Sequence, residues 1–413
     1  MGNKKSMNIR KPEVLAPAGD WERFQFALQY GADAIYLGGK QFTMRAAPAN
    51  FTVEQLAAAV QLAHAKGVKV YLTCNTLPHN ADLPQFLPYL REMAETGIDA
   101  VIVADLGLLA LIRKALPDLE IHMSTQMGIV NYETANALYD LGVKRVVLAR
   151  ELSLEEIAEI RAKTSADLEL EAFVHGAMCV SFSGRCLLSA YLTGRDANQG
   201  ACAQPCRWKY RLMEETRPGQ YFPVEEHDEG TYIMNAKDLC MIDHIPELLA
   251  AGVDSLKLEG RAKSSYYVAV VTNAYRSAVD AYLQQPEGFV LPEWIREEVY
   301  KVSHRGYCTG FFFGKPEAGQ RYTDNSYDRS FDVIAIADDW RDGMLYVTQR
   351  NRFFAEDTVE LLAPERQPIT IPLNGNLFDE TGERITVANH AMMACAFPCP
   401  VALPKGTMFR KRA

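Results

Sequence analysis

One phrase recurs four times in this chain and constrains its fold more than any other feature: a glycine, a short polar step, then an apolar run. It reads Gly31-Ala-Asp33-Ala-Ile-Tyr-Leu, Gly97-Ile-Asp99-Ala-Val-Ile-Val, Gly142-Val-Lys144-Arg-Val-Val-Leu and Gly252-Val-Asp254-Ser-Leu-Lys-Leu. Each glycine can end the helix before it, because a left-handed residue closes a helix at no steric cost when it lacks a Cβ. Each apolar run then reads as a strand buried on both faces, as a parallel sheet requires.

Extended along the chain, the reading gives strands over 13–16, 34–37, 69–74, 100–104, 120–123, 145–149, 168–174 and 255–258. Amphipathic helices fit the gaps and follow the last strand, over 21–30, 53–66, 83–96, 107–115, 133–141, 154–163, 245–251 and 266–284. Alternating strands and helices predict an α/β fold, a (β/α)8 TIM-like barrel. The rival is a doubly wound open sheet, but no G-x-G-x-x-G follows the first strand.

The barrel reading assigns residues 1–285 to one domain, interrupted after strand seven by an insertion over 175–240. Within it, 213–230 is acidic and turn-rich and reads as an exposed loop or hairpin. Residues 286–329 read as a connector. From 330 to 413 the pattern changes to short alternating strands, which predicts a small C-terminal β-barrel. A chain of 413 residues with 48% hydrophobic and 23% charged content has room for two such units.

The insertion holds Cys179, Cys186, Cys202 and Cys206, four of the nine cysteines, in the pattern C-x6-C-x15-C-x3-C among Gly176, Gly184, Gly200 and Pro205. Thiolates held by turns are soft metal ligands. Structural zinc favours paired short knuckles, and only Cys202 to Cys206 has that spacing; a 4Fe-4S cluster tolerates uneven spacing. Cys240 competes with Cys206 for the last ligand position.

No apolar run of eighteen residues and no apolar signal core near the start are present, which points to the cytoplasm and away from the membrane. In a reducing compartment clustered cysteines are ligands or catalytic groups more often than disulfides.

If the barrel forms, chemistry belongs at the C-terminal ends of its strands. That rim carries Asp20, Asn75, Asp105, Ser124-Thr-Gln126, Arg150-Glu151, His175 and Glu259-Gly-Arg261. Asp20 and Asp105 each open a helix and are equally readable as N-caps. His175, Glu259 and Arg261 are the candidate catalytic residues; Arg185, Arg261 and Lys263 are the candidate cationic contacts to a cluster or an anionic ligand. A formal charge of -9 gives no global attraction to nucleic acid, so an RNA would need a local patch. Candidates are Arg207, Lys209 and Arg211, Lys257 with Arg261 and Lys263, and the tail Arg410-Lys411-Arg412; each is also readable as ordinary surface charge.

The stretch Glu171-Ala-Phe-Val-His-Gly-Ala-Met-Cys179, with Ser183-Gly-Arg-Cys186-Leu-Leu-Ser189, resembles the signature of peptidase family U32. Leu15-Ala-Pro-Ala-Gly19, Asn198-Gln-Gly-Ala-Cys202, Cys206-Arg-Trp208, Tyr232-Ile-Met-Asn235, Leu256-Lys-Leu-Glu-Gly-Arg261 and His304-Arg-Gly-Tyr307 resemble the branch of that family that hydroxylates tRNA. The resemblance implies an iron-sulfur enzyme forming 5-hydroxyuridine at the wobble position, with its hydroxyl taken from a metabolite such as prephenate rather than O2. It also implies that the cluster is held by Cys179, Cys186, Cys202 and Cys206, and that a paralogous U32-family subunit is a candidate partner. The two carboxylates of such a donor suit Arg261 and Lys263.

Two other readings stand beside this one. A peptidase needs an activated nucleophile, yet the chain has no H-E-x-x-H and no G-x-S-x-G, and only His175 and Cys179 could pose as a pair. A metal-stabilised RNA-binding or assembly protein would need no chemistry in the barrel.

Overall fold

A computed structural model of the chain describes residues 10–44, 49–179, 181–208, 226–227, 230–231, 236–314 and 330–413. Strands β1 (Glu13–Ala18), β2 (Ala34–Gly38), β3 (Lys69–Cys74), β4 (Ala100–Val103), β5 (Glu120–Met123), β6 (Arg145–Val147) and β7 (Glu169–Ala177) pair in parallel, each with the next. A short strand β8 (Asp238–Cys240) precedes β9 (Ser255–Leu258), which pairs in parallel with both β7 and β1 and closes the ring. The eight-stranded barrel is therefore the one the repeated phrase predicts.

Both faces of the strands are covered, which is why the runs are apolar throughout. Inside the ring, Leu15, Ala34, Tyr36, Tyr71, Ala100 and Ile102 form their own cluster. Outside it, a larger core fills the layer between strands and helices. The helices begin where the sequence offers caps: Asp20 accepts from the Arg23 N–H, and Asp105 from the Leu108 N–H. Ser153 and Glu156 form a capping box. Asp20 and Asp105 are thus capping residues.

The interior is not wholly apolar. Arg145, on β6, reaches Glu13 at 2.5 Å, Glu169 at 2.7 Å and Glu171 at 3.0 Å, and Lys257 on β9 reaches Glu171 at 2.5 Å. Lys257 is 4% exposed, so its reading as a surface RNA contact is corrected; a lysine inside a doubly buried strand points into the barrel.

Strand seven runs past its predicted end at 174. Beyond a bulge opposite Lys257 and Leu258, His175 still pairs with Leu258, while His175 to Ala177 also pair antiparallel with β8. Gly176, at φ +104°, makes this crossing, since a Cβ there would lie 2.5 Å from the Glu259 carbonyl. A tenth strand, β10 (Tyr307–Cys308), then pairs in parallel with β8.

The described part of the connector is consequently packed into the fold. Arg305 is buried and binds Asp238 at 2.7 Å. Within 213–230, Glu226–His227 pairs antiparallel with Gly230–Thr231, as a hairpin would; the rest of that stretch, Lys209, Arg211 and 232–235 lie outside the described residues.

Seven of the C-terminal strands form one antiparallel sheet, from Ile369–Pro372 at one edge to Phe378–Asp379 at the other, and Phe353–Phe354 pairs separately with Val387–Ala388. Val347, Leu361, Phe397 and Phe409 belong to its separate core. It docks on the barrel through Tyr30, whose hydroxyl donates to the Leu362 carbonyl at 2.6 Å and accepts from the Met408 N–H at 3.2 Å. Arg410 is fully buried in the same interface. It donates to Glu298 and to the Tyr266 hydroxyl on the barrel side, and to Glu360 on the sheet side. Its reading as part of a basic RNA-binding tail is therefore corrected. Among the described residues no helix is long and apolar enough to cross a membrane.

Candidate active site at the barrel mouth

The insertion after β7 folds back over the C-terminal ends of the strands. Its turns are set by local backbone: Ser183 and Gln204 adopt φ of 43° and 57°, and Gly194 and Gly200 are left-handed. Ser183, Asn198 and Gln199 tie it to the rim. The Glu151 carboxylate accepts from the Ser183 N–H at 2.7 Å and from its hydroxyl at 2.8 Å. The Leu77 N–H donates to the Asn198 carbonyl at 3.2 Å, and the Gln199 amide donates to the Leu77 carbonyl. Inside the insertion, the Asn198 side chain brackets Cys186, accepting from its N–H at 3.4 Å and donating to its carbonyl at 3.3 Å.

This arrangement puts Cys179, Cys186, Cys202 and Cys206 on the wall of one cavity. Its opposite wall is the barrel rim, with Thr73, Asn75, Gln126, Arg150, Glu259 and Arg261. Backbone N–H groups point at two of the sulfurs, from Leu188 to Cys186 at 3.4 Å and from Gln204 to Cys202 at 3.3 Å. Cys179 Sγ lies 3.0 Å from the Ser181 hydroxyl. Among the described residues no group of three or more His, Cys, Asp or Glu side chains is placed to hold a single metal ion.

Cys240 is placed elsewhere. It stands opposite His175 in the β7–β8 ladder and does not line this cavity, and burial pushes its thiol up to about 12.

The candidate cations separate. Arg261 is 3% exposed, lines the cavity, and donates to the Thr43 and Thr73 hydroxyls at 2.8 Å each and to the Asn50 carbonyl oxygen at 3.0 Å. Arg150 lies 3.7 Å from Glu259, with its guanidinium carbon 3.9 Å from the centre of the Phe173 ring. Lys263 faces away: the turn closed by its N–H on the Gly260 carbonyl sends the ammonium toward the Ser303 carbonyl at 3.2 Å and Asp238 at 3.9 Å. Arg261 and Lys263 therefore do not form one anion site. Arg185 is exposed on the insertion and is not part of the cavity wall.

His175 is not on the cavity wall either. Because β7 bends at the bulge, its ring turns outward among Tyr267, Tyr275 and Tyr307, with centroids 5.3 to 6.0 Å away. Burial, with the charges of Lys263 and His304, pushes its pKa down to about 3, so the imidazole is neutral near pH 7.

Lys257 was visible only as charge in the sequence, yet it lines the cavity. Its signal was its position inside a buried strand. The anchor between Glu151 and Ser183 had no sequence signal, because it joins residues 32 positions apart on different elements. Around the mouth the insertion exposes Phe182, Leu187, Tyr191, Leu192 and Trp208, with Tyr191 82% exposed.

The model of peptidase family U32 matches residues 19–322, and that of the family's C-terminal domain matches 329–410. The chain is 37% identical to tRNA hydroxylation protein P1 of Bacillus subtilis over 99% of this chain and 97% of the relative. It is 37% identical to tRNA hydroxylation protein P of Escherichia coli over 86% of this chain and 87% of that one. It is also 38% identical to the 23S rRNA 5-hydroxycytidine C2501 synthase of E. coli, over 74% of this chain and 46% of that protein. With the family models covering barrel and sheet alike, this chain belongs to peptidase family U32.

Proposed function

We propose that the chain is an RNA-modifying enzyme that hydroxylates the wobble uridine of tRNA to 5-hydroxyuridine. The observation that carries this reading is the single cavity at the barrel mouth, walled by four cysteines on one side and by Arg150, Glu259 and Arg261 on the other. The names of the relatives support it, since each refers to hydroxylation of RNA.

Four soft sulfurs around one cavity, two of them receiving backbone N–H groups, fit the donor chemistry of a 4Fe-4S cluster. Cys179, Cys186, Cys202 and Cys206 would hold it, and it would supply one-electron chemistry beside the bound substrates. Prephenate is the proposed hydroxyl donor. Arg261 and Arg150 bind its carboxylates, Arg261 already oriented by Thr43, Thr73 and Asn50. Hydroxylation removes two electrons and a hydrogen from C5 of the base, and the donor that gives up its hydroxyl accepts them, so O2 is not required. The exposed Tyr191, Trp208 and Phe182 offer stacking surfaces to unpaired bases, which suits an anticodon loop.

The geometry disfavours a cysteine peptidase. His175 is turned among three tyrosines, away from the cavity that Cys179 lines, so it cannot orient or deprotonate that thiol.

The test combines iron analysis with tRNA nucleosides. Anaerobically purified protein is expected to carry roughly four irons per chain, lost in Cys179→Ala. In a strain lacking every parallel pathway, the gene should restore 5-hydroxyuridine derivatives. Stoichiometric zinc, or unmodified tRNA in the complemented strain, would sink the proposal.

A further inference from the structure

Gln126 presents an unusual side chain to the same cavity. It sits on the short turn Thr125–Met127 that follows β5, capped by Ser124, whose hydroxyl accepts from the Gln126 N–H at 3.4 Å. The residue is 4% exposed and lines the cavity, yet among the described residues neither its Oε1 nor its Nε2 has a hydrogen-bond partner. Buried amides are ordinarily satisfied, and one left unpaired at both ends is destabilising.

Three polar residues of the same cavity already have partners of their own. The Thr73 hydroxyl donates to the Leu37 carbonyl at 3.0 Å and accepts from Arg261, and the Thr125 hydroxyl donates to the Leu148 carbonyl at 2.9 Å. Asn75 accepts from the Met44 N–H at 3.3 Å. The nearby wall is apolar or aromatic, from Tyr36, Ile102, Val147 and Phe173. An unsatisfied buried amide beside aromatic and apolar side chains is how a protein receives a base taken out of its stack.

We propose that Gln126 reads the hydrogen-bonding edge of the pyrimidine to be hydroxylated. The inference rests on the reading of this cavity as an RNA-hydroxylation site and names the residue that recognises the base there. A primary amide sets one donor beside one acceptor, which matches the adjacent N3–H and carbonyl oxygen of uracil. The carboxylates of an acid donor offer acceptors alone and would leave Oε1 unpaired; they match the guanidinium groups of Arg261 and Arg150 instead. Because the amide carries both functions, rotated by half a turn it also matches cytosine. Gln126 therefore selects pyrimidines by edge and shape, and the choice of uridine belongs to other contacts.

The experiment compares wild type, Gln126→Leu and Gln126→Glu, each as the full chain with its iron. Leucine keeps the volume and removes both polar atoms, so Gln126→Leu is expected to melt at the same temperature or higher and to keep its iron. It should bind uridine 5′-monophosphate and hydroxylate tRNA roughly tenfold to a hundredfold less well, while prephenate binds as before. Gln126→Glu keeps the acceptor and should lie between. Should Gln126→Leu fail to fold, Gln126→Glu carries the comparison.

Wild-type modification by Gln126→Leu overturns the proposal, as does a loss confined to prephenate binding or a loss of iron that accounts for the lost activity. A wild-type gene that fails to restore the modification refutes the function itself, a separate outcome.

Discussion

The carboxylate of Glu151 receives both the backbone N–H and the hydroxyl of Ser183, at 2.7 and 2.8 Å, and so fastens the cysteine-bearing insertion to the rim of the barrel. Ser183 needs such a hold, because it is buried with φ at 43°, a conformation that non-glycine residues seldom adopt unaided. Glu151→Ala should leave the barrel folded and release the insertion. Loss of two hydrogen bonds to a charged group removes about 3–6 kcal/mol locally. Limited proteolysis is expected to cut between Cys179 and Cys206 much faster, with iron content reduced; unchanged cleavage and iron would remove the anchor from the account.

The placement of Cys206 in the cavity, and of Cys240 behind β7, separates two ligand candidates. Cys206→Ser should lose most of the iron and the associated visible absorbance. Cys240→Ser should keep both, since its buried thiol, pushed up to about 12, remains protonated at neutral pH. The opposite pattern in anaerobic preparations would transfer the ligand role to Cys240.

Arg410 spans the interface between barrel and sheet with no exposure to solvent, bound to Glu298 and Glu360. Arg410→Met leaves both carboxylates with Lys301, 3.1 Å from each, as their remaining cation, and is expected to destabilise the protein by about 3 kcal/mol, the low end for breaking a buried pair, in urea unfolding. Adding Glu298→Gln should return part of that loss, because the two side chains are directly coupled. Simple additivity in the double variant would argue against the coupling.

Acid sensitivity should trace in part to Glu13. Burial raises its pKa, but the charge and hydrogen bonds of Arg145, with those of Tyr71 and Ser255, outweigh it and hold the folded value down at about 2, against 4.5 ordinarily. A folded value below the unfolded one means the stabilisation is complete above about pH 4.5 and is lost as pH falls from there toward 2. The amount at stake is about 3 kcal/mol. Glu13→Gln should be less stable at pH 7 and show a flatter pH dependence between these limits; parallel curves for the two proteins would contradict this.

Much of the barrel was legible because its signals are local. The glycine at each helix end and the apolar run beyond it lie within a few residues of one another, as do the caps at Asp20, Asp105 and Ser153. The end of β7 was misjudged because its last three residues are held by β8, more than sixty positions away, and no local pattern records such a partner. The same cause moved His175. Strand alternation says which residues share a face, but the bulge at Lys257 and Leu258 sets which face that is.

By itself the sequence determined the eight-stranded barrel, the all-β sheet after it, the family, and the set of cysteines grouped in one insertion, since composition, period and spacing are properties of neighbouring residues. The tertiary structure decided which of the charged residues work together. Arg261 joined the cysteines while Lys263, two positions on, turned away, and Arg410 went to an interface rather than to solvent. Only closure of the ring brings the ends of β3, β5, β6 and β9 to a common mouth, and only there do Gln126 and the four sulfurs come to share a cavity.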